Sequence, residues 1–137
     1  MWQRGFTPKI IVRDNGLINA LASPTLDTSS VDATWRGRLV ENAVGAALAV
    51  LADQWGGELY YWRDRSEEVD FVFSLGKKVI GVEVKSGTHR ADLSGLTSFQ
   101  KQYPHSNLVL IGGAPPPFPV RHLSLQDFFN HPNSILS

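Results

Sequence analysis

The sequence predicts an α/β fold with an αβββαβ core and a mixed central sheet flanked by helices. Three observations carry it: a helical apolar repeat over 35–53, three β-rich runs in quick succession after it, and a second helical repeat leading into an apolar run at 107–111.

Residues 1–33 read as an irregular lead-in, with a short apolar run at Ile10-Ile11-Val12, a turn at Asp14-Asn15-Gly16, another apolar run over 17–21 and Ser/Thr/Pro punctuation beyond. In the first helix Trp35, Leu39, Ala43, Val44, Ala47, Leu48 and Leu51 recur at three- and four-residue steps, and Asp32 or Thr34 is the expected cap. Gly45, Ala46 and Ala49 make a second, small-residue face, which meets either the sheet's own loops or another subunit of a homodimer. Gly56-Gly57 ends the helix.

The runs 59–62, 69–73 and 79–84 then read as strands, the last two joined by a hairpin turn at 74–78 around Gly76. Leu93, Leu96, Phe99 and Tyr103 give the second helix, stopped by Pro104. A helix between two strands implies a parallel crossover, so the third strand and 107–111 are expected to be parallel in one sheet. Leu123, Leu125, Phe128 and Phe129 follow as a strand end and one short helix on the rim. The chain thus divides as one domain over 1–137, with a lead-in segment at 1–33, a core at 34–111 and a C-terminal rim segment at 112–137.

Composition narrows the function classes. A chain of 137 residues with 42% hydrophobic and 19% charged content can bury about two thirds of its unfolded surface as one domain. Thirteen basic side chains balance thirteen acidic ones, so any polyanion site is local. There is no cysteine, which excludes disulfides, thiolate metal sites and cysteine nucleophiles and leaves His, Asp and Glu as metal ligands. No apolar run reaches membrane-spanning length and no signal-type block follows Met1, so a cytoplasmic protein with no membrane partner is expected.

Acidic residues interrupt the strands. Alternation puts Val69, Phe71 and Phe73 on one face of the second strand and Asp70 with Val72 on the other; in the third, Gly81, Glu83 and Lys85 oppose Ile80, Val82 and Val84. A register that brings Asp70 near Glu83 sets two carboxylates within reach of one divalent cation. The competing reading makes Glu83 and Lys85 an ion pair on a solvated face. In the first helix Glu41 is the only charged residue between Arg38 and Asp53, at the margin of the apolar stripe, and it pairs either with this cluster or with Arg38.

Glu41, Asp70 and Glu83-Val84-Lys85, in that order, resemble the active-site signature of the PD-(D/E)XK nuclease-like superfamily, whose restriction-endonuclease-like core is also αβββαβ. More narrowly, Gly37-Arg38-Leu39-Val40-Glu41-Asn42, Tyr61-Trp62-Arg63, Glu68-Val69-Asp70-Phe71-Val72 and Val82-Glu83-Val84-Lys85-Ser86 are similar to the uncharacterised C-terminal domain that follows AAA+ ATPase modules in prokaryotic proteins. The lead-in Pro8-Lys9-Ile10-Ile11-Val12 with Gly16-Leu17 is similar to the segment opening that domain. The resemblance implies a fragment of a larger ATPase-linked protein that hydrolyses nucleic acid, DNA ahead of RNA. It also implies Mg²⁺ or Mn²⁺ on Asp70 and Glu83, with Glu41 completing the site, the Val84 carbonyl as a further oxygen, and Lys85 orienting water beside the phosphodiester. Its alternative is a nuclease-like module that no longer cleaves and serves binding, dimerisation or regulation of the ATPase. Val69 stands where the pattern has Pro, and Gln100 and Tyr103 do not match the exonuclease spacing, so neither is assigned.

Other features carry less. His89, His105, His122 and His131 lack metal-ligand spacing and read as solvated. No phosphate-cradling loop is present, since Gly76-Lys77-Lys78 sits in a hairpin turn, so the ATPase would be a separate module. Trp55, Tyr60, Tyr61 and Trp62 read as core ahead of base-stacking groups, and Lys77, Lys78, Lys85, His89 and Arg90 form the one local basic cluster.

Overall fold

Helix α1 (Ala33–Trp55) forms along the apolar repeat and buries Val44, Leu48, Leu51 and Ala52. The computed structural model describes residues 9–14, 33–117 and 119–137. Thr34 lies inside α1, while Asp32, the other expected cap, and the run at 17–21 fall outside the described residues. The run at 10–12 is not a strand, although Ile11 packs against the core.

Five strands follow: β1 (Glu58–Asp64), β2 (Glu67–Leu75), β3 (Lys78–Lys85), β4 (Asn107–Gly112) and β5 (Arg121–Leu123). The first three extend past their apolar runs at both ends because polar residues still join the ladder there. Leu75 pairs with Lys78, which narrows the hairpin turn to Gly76-Lys77, with Gly76 at the positive φ of 59° that this position favours. Helix α2 (Ser94–Gln102) connects β3 to β4, and α3 (Leu125–Asn130) with a 3₁₀ turn (Pro132–Leu136) closes the chain.

The strands lie in the order β1-β2-β3-β4-β5; β1, β2 and β3 are antiparallel neighbours, and β3, β4 and β5 are parallel, as the crossover argument requires. On one sheet face Phe71, Phe73, Ile80, Val82, Val84, Val109 and Ile111 pack with α1, Phe128 of α3 and Ile135. On the other, Trp62, Val69, Val72 and Leu108 pack with Leu96 and Phe99 of α2. Phe99 meets Trp62 edge-on at 5.5 Å between ring centroids.

Two expectations about packing change. Trp62 belongs to the core, but Trp55 at the end of α1 is 55% exposed and bonds Asn133 through its indole N–H. Gly45 does not lie on a separate face: a Cβ there would sit 2.7 Å from the Phe71 ring, so its lack of a side chain lets α1 settle on β2.

Candidate functional site

A break in strand alternation builds the site. Tyr60 opposes Val72 and Trp62 opposes Val69, so Tyr61 alone faces both Asp70 and Phe71, and β2 carries a bulge there. Strict alternation grouped Val69 with Phe71 and Phe73 and put Asp70 beside Val72; the extra residue overturns this. Val69 and Val72 share the α2 face, while Phe71 and Phe73 face α1. Asp70 is thereby brought within charge range of Glu41 on α1.

The bulge also ends the β2–β3 ladder. Its last pair is Phe71 with Val82, and beyond it side chains replace backbone partners. The Val84 N–H donates to Asp70 Oδ2 at 2.8 Å, and the Glu83 carboxylate lies near the Asp70 backbone, which works against the rise in its pKa. The Asp70 carboxylate thus takes the place of a ladder partner where the two strands part. Lys85 Nζ donates to Glu83 Oε1 at 2.8 Å. The expected surface pair therefore exists, but on a site that is not solvated, since Glu83 is only 8% exposed.

Glu41 pairs with neither Arg38 nor Lys85. Its Oε1 lies 2.5 Å from Lys9 Nζ, which also donates to the Asp70 carbonyl at 2.9 Å and stands 3.7 Å from Asp70 Oδ1. Glu41, Asp70, Glu83 and Lys85 are therefore one neighbourhood, as the sequence predicts. Lys9 is its unassigned member. The adjacent Asn42 fixes the segment bearing it, accepting from the Val12 N–H at 2.8 Å and donating to the Val12 carbonyl at 2.6 Å. Residues 41 and 42 thus read residues 9 and 12, a pairing across 30 residues or more that no local periodicity reveals.

The charges explain the electrostatics. Burial lifts the Glu83 carboxyl to about 7, the Asp70 charge adds to this, and Lys85 opposes it. Asp70 is raised for the same first reason, then by Glu41, against Lys9, the Val84 N–H and Lys85. Burial works to depress the Lys85 amine, but its bond to Glu83 and the charges of Glu83, Asp70 and Glu41 outweigh that and raise it. Lys85 is held as an ammonium.

A cavity of about 260 Å³ opens beside Glu41, between residues 9–12 and α1, walled by Trp35, Leu39 and Phe71 with Arg38 at its side. His122 is not solvated as expected: half-buried, its Nε2 lies 3.1 Å from the Gly112 carbonyl oxygen. His89, His105 and His131 are exposed.

The three carboxylates and the Val84 carbonyl are hard oxygen donors of the kind Mg²⁺ and Mn²⁺ prefer. Among the described residues, however, no three His, Asp or Glu side chains are disposed to hold a metal ion. Glu41 is paired with Lys9 and Glu83 with Lys85. The set fits such a cation in donor chemistry. Among the described residues no helix is long and apolar enough to cross a membrane.

No curated protein and no solved structure matches the chain. A family model does, over residues 36–122, a span from the start of α1 to β5 that includes Glu41, Asp70, Glu83 and Lys85. The chain belongs to the DUF4143 family, a domain of unknown function.

Proposed function

We propose that this domain is a divalent-metal-dependent phosphodiesterase of PD-(D/E)XK kind that hydrolyses nucleic acid, DNA ahead of RNA, and works in a larger protein beside an AAA+ ATPase module. One observation carries the reading: Asp70, bonded by the Val84 N–H, and Glu83 lie together where β2 and β3 part, with Lys85 on Glu83 and Glu41 behind Asp70. Buried acids in apolar strands are costly unless paired, and carboxyls raised by burial beside charged partners cluster at functional sites.

Asp70, Glu83 and the Val84 carbonyl would hold the cation, with Glu41 completing the set. When bound, Mg²⁺ or Mn²⁺ supplies Lewis-acid stabilisation of the phosphoryl oxygens and acidifies the attacking water. Lys85 would orient the water and offset negative charge gathering on the phosphodiester. The water oxygen would bond to phosphorus as the P–O bond to the ester oxygen breaks, the water giving up its proton to solvent and the departing oxygen taking one up from solvent. Arg38 beside the cavity adds a positive side chain next to the carboxylates.

The full pairing of the cluster by Lys9 and Lys85, together with zero net charge, favours a second reading: a module that has kept the fold and serves binding or regulation of the ATPase. Mn²⁺-dependent cleavage of circular single-stranded and supercoiled double-stranded DNA separates the two. The nuclease reading expects Glu83→Ala and Lys85→Ala each to lower the rate at least about a hundredfold while both variants stay folded. Absence of cleavage with no Mn²⁺ effect on the melting temperature would leave the second reading.

A further inference from the structure

We propose that Lys9 is the resident cation of the carboxylate cluster, so that its ammonium and a divalent metal ion compete for Glu41 and Asp70. This rests on the metal reading above and adds to it a control built from the chain's own lead-in.

The geometry is that of a seated cation rather than of a loose surface pair. Lys9 Nζ lies 2.5 Å from Glu41 Oε1, donates to the Asp70 carbonyl at 2.9 Å, and stands 3.7 Å from Asp70 Oδ1. It also lies 4.6 Å from the centre of the ring of Phe71, the second residue of the bulge. One ammonium thus meets two of the three carboxylates expected to ligate metal. A divalent ion cannot bind those oxygens at ordinary ligand distances while Nζ remains there.

The backbone holds Lys9 in place. Asn42 makes two hydrogen bonds to the Val12 backbone, as a neighbouring strand would, and Ile11 packs against the core. Arg13 adds a pair with Asp53 at 2.7 Å. Residues 9–13 therefore form a strap along α1, pinned on one side of Glu41 by Asn42. Because Lys9 and the metal exclude each other, the apparent metal dissociation constant equals the intrinsic one divided by the fraction of molecules with the strap lifted. Anything that loosens the strap exposes the cluster.

The test is calorimetric titration with MnCl₂, and melting with and without it, on the whole chain as wild type, Lys9→Met and Asn42→Ala. Methionine keeps an unbranched apolar stem over Phe71 and removes the charge. Asn42→Ala keeps the charge and removes the pin, so it separates competition for place from a general change in local potential. The expected result is an Mn²⁺ dissociation constant at least about tenfold tighter in Lys9→Met and a smaller tightening in Asn42→Ala, each with a larger Mn²⁺-induced rise in melting temperature. An unchanged or weaker constant in Lys9→Met, with Mn²⁺ still bound by wild type, would overturn the competition alone. Tightening in Lys9→Met without any in Asn42→Ala would overturn the strap as its seat. No Mn²⁺ binding by any of the three proteins would overturn the metal reading and the competition together.

Discussion

The two ends of the β2–β3 pair are built from the same kinds of strand and do opposite work. At the turn end the ladder runs unbroken from Phe71 with Val82 to Leu75 with Lys78, and Phe73 and Ile80 are sealed between the helices. At the open end the ladder stops, β2 bulges, and the Val84 N–H turns to the carboxylate of Asp70, with Glu83 beside it. One inserted residue separates a packed frame from a charged cleft. The frame is what allows the cleft to be costly, because large apolar burial can hold unfavourable acids in place.

The strongest way to break this contrast is to attack the frame. Phe99→Ala removes a fully buried ring lying against Trp62 and Gly81 and is expected to destabilise the protein by about 3–5 kcal/mol in urea denaturation. A loss under about 1 kcal/mol would show that the α2 face does not hold the frame.

The cleft should respond with the opposite sign. Burial lifts Glu83 from 4.5 to about 7, so between these values the folded protein holds a proton that the unfolded chain has released. The stability contributed by this group is complete below pH 4.5 and is lost as pH rises through 7. Glu83→Gln is therefore expected to stabilise the metal-free protein at pH 8, by up to about 3 kcal/mol, with the advantage vanishing near pH 4.5. A difference between variant and wild type that does not change with pH would contradict the electrostatic account.

Smaller changes probe the joint between the two ends. Gly45→Ala pushes a methyl group against Phe71, next to the bulge, and should destabilise by about 1–3 kcal/mol; an equally stable variant would mean that α1 can shift without cost. Arg65, in the turn between β1 and β2, has φ 55°, where a side chain is strained. Arg65→Gly should raise stability by up to about 1 kcal/mol and leave Mn²⁺ binding untouched, since it lies outside the cleft.

Much of this architecture is legible in the residues themselves. The period of the α1 repeat and the Gly and Pro stops at 56–57 and 104 mark the elements, and a helix between two strands dictates the parallel crossover. Glu41, Asp70, Glu83 and Lys85 stand out because acids are rare in such apolar segments. The rest was hidden for physical reasons. A bulge leaves no mark on alternation, so the face of Val69 was assigned wrongly. Asn42 and Lys9 meet only after α1 and the lead-in are folded together, and Gly45 looks like a small-residue face until Phe71 lies over it. His122 finds its backbone partner, the Gly112 carbonyl, only once β4 and β5 are side by side.

In the proposed function the bulge gathers Asp70 and Glu83 into a divalent-cation site. Anomalous diffraction from crystals soaked in MnCl₂ tests it most directly. The account predicts one strong peak within ligand distance of the Asp70 and Glu83 carboxylates, with Lys9 Nζ displaced from Glu41; a protein with no peak there, and Lys9 still seated on Glu41 at saturating Mn²⁺, would contradict it.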